Sequence, residues 1–331
     1  MISRRLASLL LVLPVLPTAA ACSDGGVTTK DSARLIAASG SHVVVAASSE
    51  TETPSLGCGG GGDPQLGPSV LFVSDDSGVH FDRVMPDDAR PLTRIGVKDG
   101  IFYGLAQDAG SFAIVTSADG RTWTQVATHE GESHDLSITA SGIAVAHATG
   151  VMTSTDGITW ADHAIAQGLY SPSVAQVGDQ VVVSMALSST LHIRSHGEWV
   201  SRTVPSMTSI WELIPVEGAV LATGTASYDG GPTVFTIARI DLAHDTAPTY
   251  VEGYTTRSVV TPAGLLDYTG FLAPIDGTVV GTLAQFIEPF QSAMVDGQRV
   301  QLLRDGKVAI SVDGGHTYGA PVTLPISSIE E

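Results

Sequence analysis

An eight-residue phrase occurs twice in this chain, TSADGRTW at Thr116 to Trp123 and TSTDGITW at Thr153 to Trp160, identical at six of eight positions. A near-verbatim repeat restricts the fold to architectures in which one supersecondary unit is used many times over. Two looser copies lie further out: SDDSGVHF at Ser74 to Phe81 and SVDGGHTY at Ser311 to Tyr318 keep Ser, Asp, Gly and a closing aromatic in order. A degenerate one, SHGEW, spans Ser195 to Trp199, so three of the four tryptophans close a copy. In such a phrase the aspartate can accept hydrogen bonds from backbone N–H groups of a turn, the glycine supplies a positive φ, and the aromatic ring is available for burial.

A second repeat precedes the first. ASGSHVVVAAS, VKDGIFYGLAQ, TASGIAVAHAT, QVGDQVVVSMA, PVEGAVLATGT and PIDGTVVGTLA each set a glycine (Gly40, Gly100, Gly142, Gly178, Gly218, Gly277) ahead of a short apolar or β-branched run. Each reads as a tight hairpin followed by a strand. With 36 glycines, 17 prolines, 15% charged residues and no sustained 3.6 periodicity after residue 25, very little helix is expected.

The pattern S-x-D-x-G-x-T-W, with its one-residue-shorter form, resembles the Asp-box or BNR repeat of β-propellers, found in sialidases, photosystem II assembly factors and many exported proteins. The resemblance implies an all-β fold, a β-propeller of four-stranded antiparallel blades, with the box on the hairpin between the third and fourth strands. It assigns structural roles to Ser74, Asp76, Gly78 and Phe81, to Ser117, Asp119, Gly120 and Trp123, to Ser154, Asp156, Gly157 and Trp160, and to Ser311, Asp313, Gly315 and Tyr318. Six hairpin glycines predict six blades, with seven the alternative, in one domain over 33–325 followed by a tail, 326–331. A single four-stranded sheet cannot bury both faces, so the blades must stand in a ring.

The spacing between the two repeats predicts where a site would lie. From hairpin glycine to box aspartate is short in blade 3 (142 to 156) and blade 2 (100 to 119), but long in blade 1 (40 to 76) and blade 6 (277 to 313). The surplus predicts long loops at Glu50 to Pro68 and about Ile287 to Gln298, on the face away from the boxes, joined by SYDGGPT at Ser227 to Thr233. Glu50, Glu52, Asp63, Tyr228, Asp229, Glu288, Phe290 and Asp296 then form a candidate binding rim, with Cys58 nearby, suited to a cation, a sugar or a partner protein.

The first 21 residues, MISRRLASLLLVLPVLPTAAA, have a basic start, an apolar stretch and small residues before Cys22, the plan of a secretion signal too short to span a membrane. The run AAAC resembles the bacterial lipobox, which implies diacylglycerol on Cys22 and a tether over 22–32. Ala19 stands where that family usually has Leu, and ordinary A-x-A cleavage is the alternative. Ser23 after the cysteine, rather than an aspartate, is the lipoprotein pattern for outer-membrane delivery. The expected address is therefore the bacterial cell envelope, lipid-anchored with the outer membrane favoured, otherwise periplasmic or secreted. Cys22 and Cys58 are the only cysteines, so lipidation of one excludes a disulfide framework and a multi-thiolate zinc site. The formal charge is −18, and loss of Arg4 and Arg5 with the signal makes it −20 (−18 − 2). A surface this acidic argues against nucleic acid, and against the membrane except through the lipid.

Catalytic signatures are sparse within this frame. The sialidase resemblance implies three arginines, a Tyr–Glu pair and an acid/base aspartate, yet that family's Arg-Ile-Pro signature is absent and Arg90-Pro91 in DDARPLT substitutes poorly. No G-x-S-x-G, H-E-x-x-H or Walker loop occurs. His129 and His134 in HEGESH read as a solvated connection, and DDSG and DGGH hold too few acids for an EF-hand. The expectation is a monomeric binding or assembly module for an envelope protein or glycan, with no catalytic residues, cofactor or metal; a sialidase-type glycoside hydrolase is the alternative.

Overall fold

A computed structural model describes residues 28–52, 65–86, 90–165, 169–216, 218–226, 234–244, 246–252, 258–261, 264–267, 271–273, 281–282, 289–295, 298–303, 307–312, 317–325 and 328–330. All regular structure among them is β: six four-stranded antiparallel sheets and one of five strands, the blades of a β-propeller. Within each blade the chain meanders, so neighbours in sequence are neighbours in the sheet.

Blade 1 comprises Thr28–Ser39, His42–Glu52, Gln65–Ser74 and Asp82–Val84, with Ser328–Glu330 added beside its first strand. Blade 2 runs from Leu92–Lys98 to Thr124–Glu130, blade 3 from Ser133–Thr139 to Ala161–Ala164, and blade 4 from Ser173–Val177 to Glu198–Thr203. Blade 5 runs from Met207–Val216 to Thr249–Glu252, blade 6 from Ser258–Thr261 to Gly281–Thr282, and blade 7 from Pro289–Val295 to Val322–Thr323. First strands touch from blade 1 to 2, 2 to 3, 3 to 4, 4 to 5 and 6 to 7, and the first strand of blade 7 returns against that of blade 1.

The count is thus seven, the alternative to six, and the reason is specific. Residue 277 lies between Phe271–Ala273 and Gly281–Thr282, the third and fourth strands of blade 6, and does not precede a second strand. The long interval from 277 to the last box therefore contains the start of another blade: the predicted loop at Ile287 to Gln298 is largely the strand Pro289–Val295, paired with Gln298–Leu303. Pairing also reaches further at the ends than expected. Thr28–Lys30, assigned to the tether, is bonded to Ser328–Glu330 of the assigned tail.

The strands of this ring are apolar on both faces because each sheet is covered on both sides. In blade 1 the alternation sends Leu35, Ala37, Val44, Ala46, Leu71 and Val73 toward Phe102 and Val115 of blade 2. The intervening Ile36, Val43, Val45, Val70 and Phe72 pack on Val300, Leu302 and Val308 of blade 7. Serine hydroxyls stitch the same seams: Ser69 Oγ accepts from Leu92 N (2.6 Å), Ser137 Oγ from Gln176 N (2.9 Å) and Ser173 Oγ from Leu213 N (3.0 Å), each in the next blade.

The box glycines sit in these seams. Gly78, Gly120 and Gly157 all have positive φ (90°, 74° and 74°). A methyl group on Gly120 would collide with Val44 and one on Gly157 with the Tyr103 ring, each on the second strand of the preceding blade. By the same rule Gly78 faces Val300 and Ile310 of blade 7. The closing aromatics follow suit: Phe81 packs in the 7–1 seam, Trp123 in the 1–2 seam, Trp160 in the 2–3 seam and Trp199 in the 3–4 seam. Gly142 differs from Gly40, Gly100, Gly178 and Gly218 in lacking a positive φ; a Cβ there would lie 2.9 Å from the Ser154 carbonyl, so close packing on the box demands it.

Replacing Gly157 with alanine is expected to cost about 2–4 kcal/mol, combining left-handed backbone strain with overpacking against Tyr103. Gly178→Ala, with a positive φ of 60° but nothing near its Cβ direction, should cost only about 1 kcal/mol. Denaturant unfolding of the two variants measures the difference.

Candidate functional site

The box turns are built from one buried hydroxyl and one carboxylate. Ser117 Oγ donates to Asp119 Oδ1 (3.0 Å) and accepts from Gly120 N (2.8 Å), while Asp119 Oδ1 also accepts from Arg121 N and Thr122 N (2.8 and 2.9 Å). Ser154 and Asp156 repeat this with Gly157, Ile158 and Thr159, and Ser74 and Asp76 with Gly78 and His80. In the fourth copy Ser311 is buried and Tyr318 half-buried; Asp313 and Gly315 lie outside the described residues. Hydrogen bonds from Thr122 and Arg121 amides hold the Asp119 carboxyl below its ordinary value, and those from Thr159 and Ile158 hold Asp156 far below it. For Asp76, burial pushes upward but is outweighed by His80 and Ser74, leaving about 2. These carboxylates belong to the scaffold.

The expected rim is only partly in view. Glu50 and Glu52 are on the second strand of blade 1, where Glu50 pairs with Leu66, and Phe290 is on the first strand of blade 7, so none of the three is a loop residue. Asp63, Tyr228, Asp229, Glu288 and Asp296, together with Cys22 and Cys58, lie outside the described residues. Three of the described arginines are taken up in contacts between neighbouring blades. Arg94 on blade 2 pairs with Asp135 of blade 3 (3.3 Å), Arg121 bridges Asp75 and Asp82 (both 2.8 Å), and Arg202 donates to the carbonyls of Asp241 and Thr246.

The face opposite the boxes carries two other features. The first is a cluster across the 2–3 seam. His129 comes from the fourth strand of blade 2, His147 ends the second strand of blade 3, and Asp162 lies on that blade's fourth strand. Asp162 accepts from or pairs with His147 Nε2 at 3.0 Å and His129 Nε2 at 3.3 Å, and the two imidazole centroids stand 4.1 Å apart. Phe112 stacks on His129 at 5.4 Å. The His147 side chain is 2% exposed and that of Asp162 48%. Burial pushes His147 down; at Asp162 the upward push of burial is outweighed by hydrogen bonds from His147 and His129. The expectation that His129 is a solvated loop residue is therefore corrected: it is a strand residue packed in a seam. Its partners were invisible in sequence because 129, 147 and 162 share no local period and meet only through the pairing of two blades.

The second feature is apolar. Tyr170, between blades 3 and 4, is 71% exposed, and Leu187, between the second and third strands of blade 4, is 77% exposed. Their turns are joined by Ala186 N donating to Tyr170 O (3.0 Å), and Leu187 holds a φ of +63°. Toward blades 2 and 3 the same face continues into exposed Asp108, Glu130, Glu132 and Asp162.

Neither a known protein family nor a curated protein matches the chain in sequence. Solved structures do match in shape. Saccharomyces cerevisiae Sqt1 superposes with a TM-score of 0.55 at 11% identity, over 88% of this chain and 85% of its own. Kluyveromyces lactis Hsv2 gives 0.50 at 8% identity, over 90% and 100%. YCF48 from Cyanidioschyzon merolae gives 0.44 at 12% identity, over 88% and 85%. At such identities the likeness to Sqt1 and Hsv2 is one of fold alone.

Asp119→Ala removes the acceptor of two turn amides and is expected to cost about 1–3 kcal/mol, with Asp119→Asn recovering most of it. The depressed carboxylates give a signed pH dependence. Their contribution is complete above the unfolded-state value of about 4 and is lost as pH falls through about 2 for Asp76. Thermal melts between pH 6 and pH 2 should therefore show a falling Tm below about pH 4.

Proposed function

We propose that the chain is an exported, lipid-anchored Asp-box propeller acting as a binding or assembly module in the bacterial cell envelope, and that it binds a partner protein on the face opposite the boxes. The observation carrying this reading is Leu187 beside Tyr170. A bulky aliphatic side chain in left-handed backbone costs of order 1–3 kcal/mol, and strain of this kind gathers where a chain meets ligands. Here the strain presents an apolar side chain to solvent, which folding alone does not reward. Exposed acidic residues continue the same face over blades 2 and 3, and the net charge is −18, so the complementary partner is a segment with an apolar plug and a neighbouring lysine or arginine. The lipobox-like AAAC and the preceding apolar stretch support the address. The catalytic alternative draws no comparable support: Arg94 and Arg121 of blade 2 and Arg202 of blade 4 are each occupied in contacts with a neighbouring blade.

Two arrays test this with the full chain. Peptides pairing aliphatic residues with Lys or Arg are expected to bind, to weaken in raised salt and to be lost with Leu187→Asp while the melting temperature holds. Binding of glycans in place of peptides, or turnover of a fluorogenic sialoside, would contradict the reading. For the anchor, Cys22→Ser is expected to move the protein from the detergent phase to the aqueous phase on partitioning.

A further inference from the structure

We propose that His129, His147 and Asp162 form a site for one divalent transition-metal cation of the zinc class, bridging blades 2 and 3. One donor atom from each side chain lies within 4.8 Å of the other two. A modest inward adjustment brings all three to the roughly 2.0–2.2 Å at which zinc takes nitrogen and oxygen ligands. Two imidazoles and a carboxylate suit zinc, whereas calcium and magnesium take oxygen shells. Three protein ligands leave a fourth position for water or a ligand group, and half-exposed Asp162 keeps that side open to solvent.

Three further observations favour a cation over an ordinary hydrogen-bonded trio. The rings are fixed before any ion arrives, packed 4.1 Å apart and walled by Phe112, which lowers the cost of organising the site. Thr149 Oγ1 lies 3.1 Å from His147 Nδ1. With Thr149 Oγ1 accepting a hydrogen bond from Nδ1–H, the Nε2 lone pair is left free for a metal on the side of Asp162, the outer-shell arrangement of metal-bound imidazoles. His129 Nδ1, finally, is buried with no hydrogen-bond partner. The ring's contact in the seam is made by Nε2, 3.3 Å from Asp162, so both imidazoles present Nε2 to one carboxylate, the convergence a metal would use.

The test uses the mature chain, extracted in detergent, stripped with EDTA and titrated with Zn²⁺ by calorimetry and with Co²⁺ by visible absorption. One Zn²⁺ per chain, a raised Tm, the d–d bands of low-coordinate Co²⁺ and no competition from excess Ca²⁺ or Mg²⁺ are expected. His129→Gln and Asp162→Asn, at partly exposed positions, should each weaken zinc binding by about 100-fold while the metal-free Tm stays near that of the parent. Thr149→Val should weaken it about tenfold. Failure to bind one equivalent, or an affinity unchanged in the first two variants, would overturn the assignment.

Discussion

The fold depends on a small buried clamp: a serine hydroxyl that donates to an aspartate two residues on and accepts from the amide of the following glycine. Ser74, Ser117 and Ser154 each do this, and each is buried. The clamp bends the chain so that a glycine with positive φ is pressed on the second strand of the preceding blade and an aromatic ring enters the same seam. A ring of sheets needs every seam filled on both sides. The box thus couples a local turn to inter-blade packing, and the alternating apolar faces of the strands complete the contact.

That coupling explains which parts of the molecule were legible in the sequence. The boxes at 116–123 and 153–160 carry side chains with one use each, and the apolar runs after Gly40, Gly100, Gly178 and Gly218 obey the short period of a strand. Blade 6 offered no such signal: its strands are two to four residues long, and no box or tryptophan marks it. Its third-to-fourth strand connection was consequently read as a first hairpin, and the first strand of blade 7 as a loop. The misplacement moved Phe290 onto an expected rim, although Phe290 is in a strand.

The site was less legible for a related reason. His129 stands on an outermost strand and His147 on a second strand, in different blades, and only the packing of one sheet on the next brings their rings together. Tyr170 and Leu187 each sit in a short connection with no pattern of its own, and their adjacency follows from the backbone bond between Ala186 and Tyr170. In a propeller the scaffold is encoded within the repeat, and the surface is composed between repeats. Exposed apolar side chains stand within the box turns, as at Val79, Ile158 and Val312, and apart from any repeat on the opposite face, as at Tyr170 and Leu187.

The most direct test of the clamp is amide hydrogen exchange at the box glycines. The Gly120 and Gly157 amides, bonded to buried serine hydroxyls at 2.8 Å, are expected to exchange as slowly as the central strands, far behind the hairpin amide of exposed Gly178. Exchange of all three at a common fast rate would mean that the box turns open independently of the blades, and the account of how the ring is held together would fail.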